Sequence, residues 1–214
     1  SAVVALPEDV PPTRAVLAAN METALNAVWD AGPEPSGRIT VVGAGVVGAL
    51  VAYLCGRLPG TEVTLVDINP ARKELAGKLG VGFALPDVAP KDCALVVHAS
   101  ATAGGLATAL ALAAFEATVL ELSWYGDAQV PVPLGGAFHS QRLRLVSSQV
   151  GHVAPSHRAE WTHRRRLGEA VTRLADPQLD ALLTPPVAFR DLPSRLPNIL
   201  AAQSGVLCQV ITYS

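Results

Sequence analysis

The 214-residue chain balances 16 Lys and Arg against 18 Asp and Glu, for a formal net charge of −2, and half of its residues are hydrophobic while 16% are charged. That composition excludes a disordered segment and fits a sheet covered on both faces, and the small net charge removes any overall attraction to nucleic acid or an acidic membrane, so the expected partner is a small molecule. Three cysteines, Cys55, Cys93 and Cys208, show no C-x-x-C spacing, which argues against a disulfide framework or a closed structural zinc site and fits a reducing cytoplasm.

The first residues, Ser1 through Pro7, lack a basic region and a full hydrophobic core, so no secretory signal is expected. Pro11-Pro12-Thr13 opens a helix in which Leu17, Met21, Leu25 and Val28 recur at helical spacing, and Asp30-Ala31-Gly32-Pro33 closes it. After the Ser36-Gly37 turn, residues 38–42 read as a strand. Val47, Leu50, Val51 and Leu54 then follow i, i+3, i+4, i+7.

Residues 62–66 form a second strand, 70–79 a helix, and 80–84 a third strand ahead of Pro86 and Pro90. Residues 94–115 contain no Lys, Arg, Asp or Glu, yet Ser, Thr, His98 and Gly104-Gly105 within them indicate a buried strand, a turn and a small-residue helix rather than a membrane span. A strand is expected at 94–99, a helix at 106–115 and a strand at 118–123. Residues 141–147 supply a sixth strand.

Leu167, Val171 and Leu174 mark the inner face of a later helix. Residues 191–203 read as helical, with Pro197 breaking or kinking the helix, and 206–213 as a closing strand. The alternation demands right-handed crossovers and therefore a doubly wound, mostly parallel α/β sheet of the Rossmann type with helices on both faces. Residues 31–155 are assigned to this domain, 1–30 to an incoming segment and helix, and 156–214 to C-terminal helices and the closing strand.

Between the first strand and its helix lies Val41-Val42-Gly43-Ala44-Gly45-Val46-Val47-Gly48, a G-x-G-x-x-G. Gly43 permits the tight turn leaving the strand, Gly45 lets backbone approach a diphosphate, and Gly48 allows close helix-to-sheet packing. Amides near Val46 and Val47 at the helix N-terminus would face negative phosphates. Asp67 ends the second strand nineteen residues after Gly48 (67 − 48), where a carboxylate grips adenosine ribose hydroxyls and repels a 2′-phosphate, so NAD is expected over NADP. Arg72 either stacks on adenine, contacts the ribose or faces solvent.

Ser100 beyond the fourth strand, Ser123-Trp124 beyond the fifth, and Ser148 with Val150 beyond the sixth lie where such a sheet opens its ligand crevice. Each reads equally as a turn residue. His98 ends an apolar strand without an evident carboxylate partner in sequence and is expected to be a buried, hydrogen-bonded histidine rather than a general base. His139, His152, His157 and His163 show no H-x-x-x-H or H-E-x-x-H spacing, and no metal is expected in this chain. Neither a G-x-S-x-G elbow nor a Walker lysine is present. Arg158, Arg164, Arg165 and Arg166, with His157 and His163, form a basic cluster read as a solvated helix face rather than a phosphate dock.

Leu6-Pro7, Glu22-Thr23-Ala24, the segment from Val41 to Gly48, and Asp67-Ile68-Asn69 with Arg72 together resemble a zinc-type medium-chain dehydrogenase. Val96 to Ser100 is similar to that family's fourth strand, Val119 to Gly126 to its fifth, and Ser147 to Gly151 to its nicotinamide-reaching segment. Gly205 to Ile211 resembles its closing strand. The resemblance implies cofactor-binding roles for Asp67 and Ile68, and a parent protein whose N-terminal GroES-like domain holds most ligands of the catalytic zinc; zinc is then expected only in a full-length parent. Ala19 stands where alcohol dehydrogenases of this family carry a further zinc ligand.

The leading expectation is an NAD(H)-binding portion of an alcohol or polyol dehydrogenase, inactive alone. A non-catalytic dinucleotide-sensing module and an S-adenosylmethionine-dependent methyltransferase are the rivals. Homodimerisation through sheet edges is compatible with the pattern.

Overall fold

The structure, a computed structural model, describes residues 3–201 and 204–213. In chain order the elements are α1 (Pro12–Ala15), α2 (Ala18–Ala31), β1 (Arg38–Val42), α3 (Val46–Cys55), β2 (Glu62–Val66), α4 (Arg72–Lys78), β3 (Gly82–Ala84) and β4 (Cys93–His98). Then follow α5 (Ala103–Leu112), β5 (Ala113–Glu121), α6 (Ala137–Ser140), β6 (Arg144–Ser147), α7 (His163–Thr172), β7 (Leu183–Ala188), α8 (Leu192–Ile199) and β8 (Cys208–Thr212).

The first six strands form one sheet in the order β3-β2-β1-β4-β5-β6, and every pairing in it is parallel. Parallel neighbours require crossovers, and the helices that make them cover both faces. The alternation along each strand decides which side chain meets which helix. Ile39, Val41, Val63, Leu65, Val97 and Leu120 face one way, into a core shared with α2, α3, α4 and α7. Val42, Val66, Val96 and Val119 face the other, against Leu106, Ala109 and Leu110 of α5. The strand order reverses between β1 and β4, so the crevice at the carboxyl ends opens beside the glycine turn.

Helix α2 runs where the spacing of Leu17, Met21, Leu25 and Val28 places it and stops at Gly32, whose φ of 55° suits a left-handed cap. Two buried arginines tie the termini to this core. Arg14 donates to both Asp180 carboxylate oxygens and to the carbonyls of Leu174 and Ala175. Arg166, 1% exposed, reaches Glu22, Asn26 and the carbonyls of Val150 and His152. Arg166 therefore leaves the solvated basic face expected of it, while Arg158, Arg164 and Arg165 remain exposed.

Several boundaries differ from expectation for local reasons. The fifth helix begins at Ala103 because Thr102 caps it, its hydroxyl accepting the Gly105 amide at 3.0 Å. It ends at Leu112, and β5 takes over Ala113 to Glu121, absorbing the Phe115 assigned above to the helix and stopping short of Ser123. Helix α8 continues only two residues past Pro197 (199 − 197), and the end of the expected 191–203 helix at 202 and 203 lies outside the described residues. The closing strand β8 pairs in parallel with β7, which was not anticipated. Pro185 and Pro186 disguised that strand; they sit where its register shifts between Thr184 and Val187, one of the few places a sheet tolerates proline.

Candidate dinucleotide site

The carboxyl end of β1 turns at Gly43, whose φ is +110° and whose amide donates to the Val66 carbonyl at 2.8 Å. A Cβ there would stand 2.7 Å from the backbone of Ala99 and Ser100, so the strand can pass its neighbour only without a side chain. At Gly48 a Cβ would overlap the Gly43 carbonyl oxygen, which seats the first turn of α3 directly against the glycine turn. Gly45 differs from both. A Cβ there would meet nothing within 4 Å, so the backbone at Gly45 borders open space outside the turn.

Gly45 caps α3, which leaves the first-turn amides without partners inside the helix, including those of Val46 and Val47. Asp67 follows β2, half-buried. Its Oδ2 accepts the Ala44 amide at 2.7 Å and its Oδ1 the Asn69 amide at 2.8 Å. An ionised carboxylate offers about four lone-pair sites, so two amides leave acceptor capacity for sugar hydroxyls.

Gly43, Gly45, Asp67, Ile68 and Ser100 line one cavity of about 750 Å³ at the crevice. Ile68 is 84% exposed and forms part of its lip. Val46, Val47 and Gly48 lie in the helix beside it. Arg72 does not join this cavity: its guanidinium donates to the Gly205 carbonyl at 3.2 Å and lines a smaller pocket with Leu182 and Thr184. Ser123 is spent on the fold, its hydroxyl accepting the Ala101 amide at 3.1 Å, and next to it Trp124 is 89% exposed. Ser148 donates to Asp30 at 2.6 Å, and the Val150 carbonyl accepts from Arg166, so neither joins the cavity wall.

Sequence reasoning missed Leu85, Asp87, Thr102 and Thr108 on the cavity wall. The signal for Thr102 was legible, since a threonine three residues before Gly105 at a strand-to-helix junction is a helix cap. Leu85 and Asp87 gave none, because only the return of β3 beside β2 brings them under the Asp67 turn.

His98 is fully buried and hydrogen-bonded, but it does have a carboxylate partner. His98 and Glu121 are register partners on adjacent parallel strands, with Nδ1 and Oε2 2.7 Å apart. Its Nε2 lies 2.7 Å from the Ser100 hydroxyl. Burial raises the Glu121 carboxyl, but hydrogen bonds from His98 and from the Ser123 amide outweigh that and hold it below its ordinary range. Burial beside Glu121 pushes the Tyr125 phenol up. Among the described residues no group of three or more His, Cys, Asp and Glu is placed to hold a metal, and no helix is long and apolar enough to cross a membrane.

No protein-family model matches the sequence, and no match was found among curated proteins. Solved structures do share its fold. L-idonate 5-dehydrogenase from Escherichia coli superposes with a TM-score of 0.79 at 17% identity, covering 95% of this chain and 58% of that one. An alcohol dehydrogenase from Escherichia coli CFT073 complexed with NADH gives 0.76 at 18% identity, over 97% of this chain and 61% of that one. A protein described as a zinc-binding dehydrogenase from Sinorhizobium meliloti 1021, bound to NADP, gives 0.74 at 18% identity, over 96% and 60%. The chain thus spans about three fifths of the length of these structures and shares the fold of the part it covers.

Proposed function

We propose that this chain is the NAD(H)-binding part of a dehydrogenase acting on an alcohol or polyol. The observation that carries the reading is the pairing of a glycine turn, open at Gly45, with the Asp67 carboxylate on the wall of the same cavity. Gly43, Gly45 and the free amides of Val46 and Val47 would hold the diphosphate, and Asp67 the adenosine ribose. The fixed negative charge of Asp67 disfavours a 2′-phosphate, which supports NAD over NADP although one comparison structure is bound to NADP.

The bound coenzyme supplies the hydride chemistry; this chain's residues bind it, orient it and screen it from water. Because the comparison structures are longer, substrate recognition and zinc are assigned to sequence outside these 214 residues, and the chain alone is expected to bind coenzyme while oxidising little or no alcohol. The exposed strand β6, an edge of the sheet, is the route by which two copies would pair.

Calorimetric titration with NADH, NADPH and S-adenosylmethionine tests the reading. Binding of NADH at least about tenfold tighter than NADPH is expected on charge grounds. Absence of NADH binding at millimolar concentration, or tighter binding of S-adenosylmethionine, would overturn it.

A further inference from the structure

The cavity holds a second piece of chemistry that dinucleotide binding does not require. Ser100, His98 and Glu121 form a hydrogen-bonded line with both links at 2.7 Å. The carboxylate can only accept, so Nδ1 of His98 carries the proton on that side and Nε2 presents its lone pair to the Ser100 hydroxyl. Thr102 closes the sequence of donors: its oxygen accepts the Gly105 amide and its hydroxyl lies 3.0 Å from Ser100 Oγ. We propose that Ser100 is a nucleophile for acyl transfer, with His98 as its general base and Glu121 as the group that orients the base.

The surroundings suit that role. His98 is buried behind Ser100, which lines the cavity and presents its hydroxyl between the base and the open space. Gly105 makes room for the hydroxyl itself, because a Cβ there would overlap Ser100 Oγ and stand 2.8 Å from His98 Nε2. Gly104, where a Cβ would meet nothing, lines the same cavity. The amides of Ala103 and Gly104 in the first turn of α5 have no partner within the helix. The substrate class is an ester, whose carbonyl carbon is the electrophile that Ser100 Oγ requires.

In the reaction, Ser100 Oγ bonds to the ester carbonyl carbon as its proton passes to His98 Nε2. The carbon–oxygen bond to the leaving alcohol then breaks and His98 returns the proton to that oxygen. Water attacks the acyl group, giving a proton to His98, and the bond to Oγ breaks as Oγ takes the proton back. The sum is ester plus water giving acid plus alcohol.

The full chain is treated with a fluorophosphonate probe and analysed by intact and peptide mass spectrometry, with p-nitrophenyl acetate as the turnover substrate. One probe per chain at Ser100 is expected, lost in Ser100→Ala and slowed at least about a hundredfold in His98→Gln. Should His98→Gln fail to fold, Glu121→Gln takes its place, with slower labelling again expected. A folded wild-type chain left unlabelled at Ser100, or labelling whose rate ignores these substitutions, overturns the assignment.

Discussion

The Asp67 carboxylate accepts the backbone amide of Ala44, the residue between the first two glycines of the β1 turn, at 2.7 Å. Acid and turn are therefore one unit: the group that would hold the sugar also fixes the backbone that would hold the diphosphate. Substitutions of Asp67 must be chosen to separate these roles.

Asp67→Asn removes the charge and keeps one oxygen for the Ala44 amide, but turns its NH2 toward the Asn69 amide, which loses its acceptor. A stability loss of about 1–2 kcal/mol is expected, while NADH affinity falls about tenfold or more and discrimination against NADPH shrinks. Fluorescence titration with both coenzymes, beside a denaturant melt, reads the two effects separately.

The glycines divide by what surrounds them. Gly48→Ala drives a Cβ into the Gly43 carbonyl and should cost several kcal/mol, on the order of the larger overpacking penalties, or prevent folding. Gly45→Ala meets nothing and sits in extended backbone, with φ of −73°, so thermal stability should stay within about 1 kcal/mol of wild type while coenzyme binding weakens at least about tenfold. Comparable loss of stability in both variants would refute this division.

Arg166 joins α7 to α2 and to the loop after β6. Its side chain is 2% exposed and that of Glu22 17%, at 3.0 Å. Arg166→Ala strands the Glu22 carboxylate and should cost about 3–5 kcal/mol. Removing both partners, as Glu22→Leu with Arg166→Met, should recover part of that loss; urea melts of the single and double variants measure it.

The Glu121 carboxyl is held below its ordinary value of 4.5 in the fold, so the folded state favours the ionised form. That contribution is fully present above the unfolded value and is lost as pH falls through the lowered folded value. The stability advantage of wild type over Glu121→Gln is therefore expected to be constant near neutrality and to shrink as pH falls below about 4.5. An advantage that grows on acidification would show the sign to be wrong.

The glycine turn, its helix and Asp67 were legible because each is written in adjacent residues or in one strand's length of spacing: Gly43, Gly45 and Gly48 act through backbone whose path local sterics prescribe. Strand β7 was not, because Pro185 and Pro186 contradict strand propensity and only pairing with β8 outweighs them. Arg166 read as solvated by composition, and Ser123 and Ser148 read as crevice residues by position. Their partners, Asn26, Ala101 and Asp30, come from distant parts of the chain.

By itself the sequence determined the βα alternation, the parallel sheet and the glycine turn, since hydrophobic period and glycine conformational freedom are local properties. Tertiary structure alone decided that His98 faces Glu121 and Ser100. Which residues oppose one another across parallel strands depends on register, and register is set by how two separated segments bury their apolar faces together.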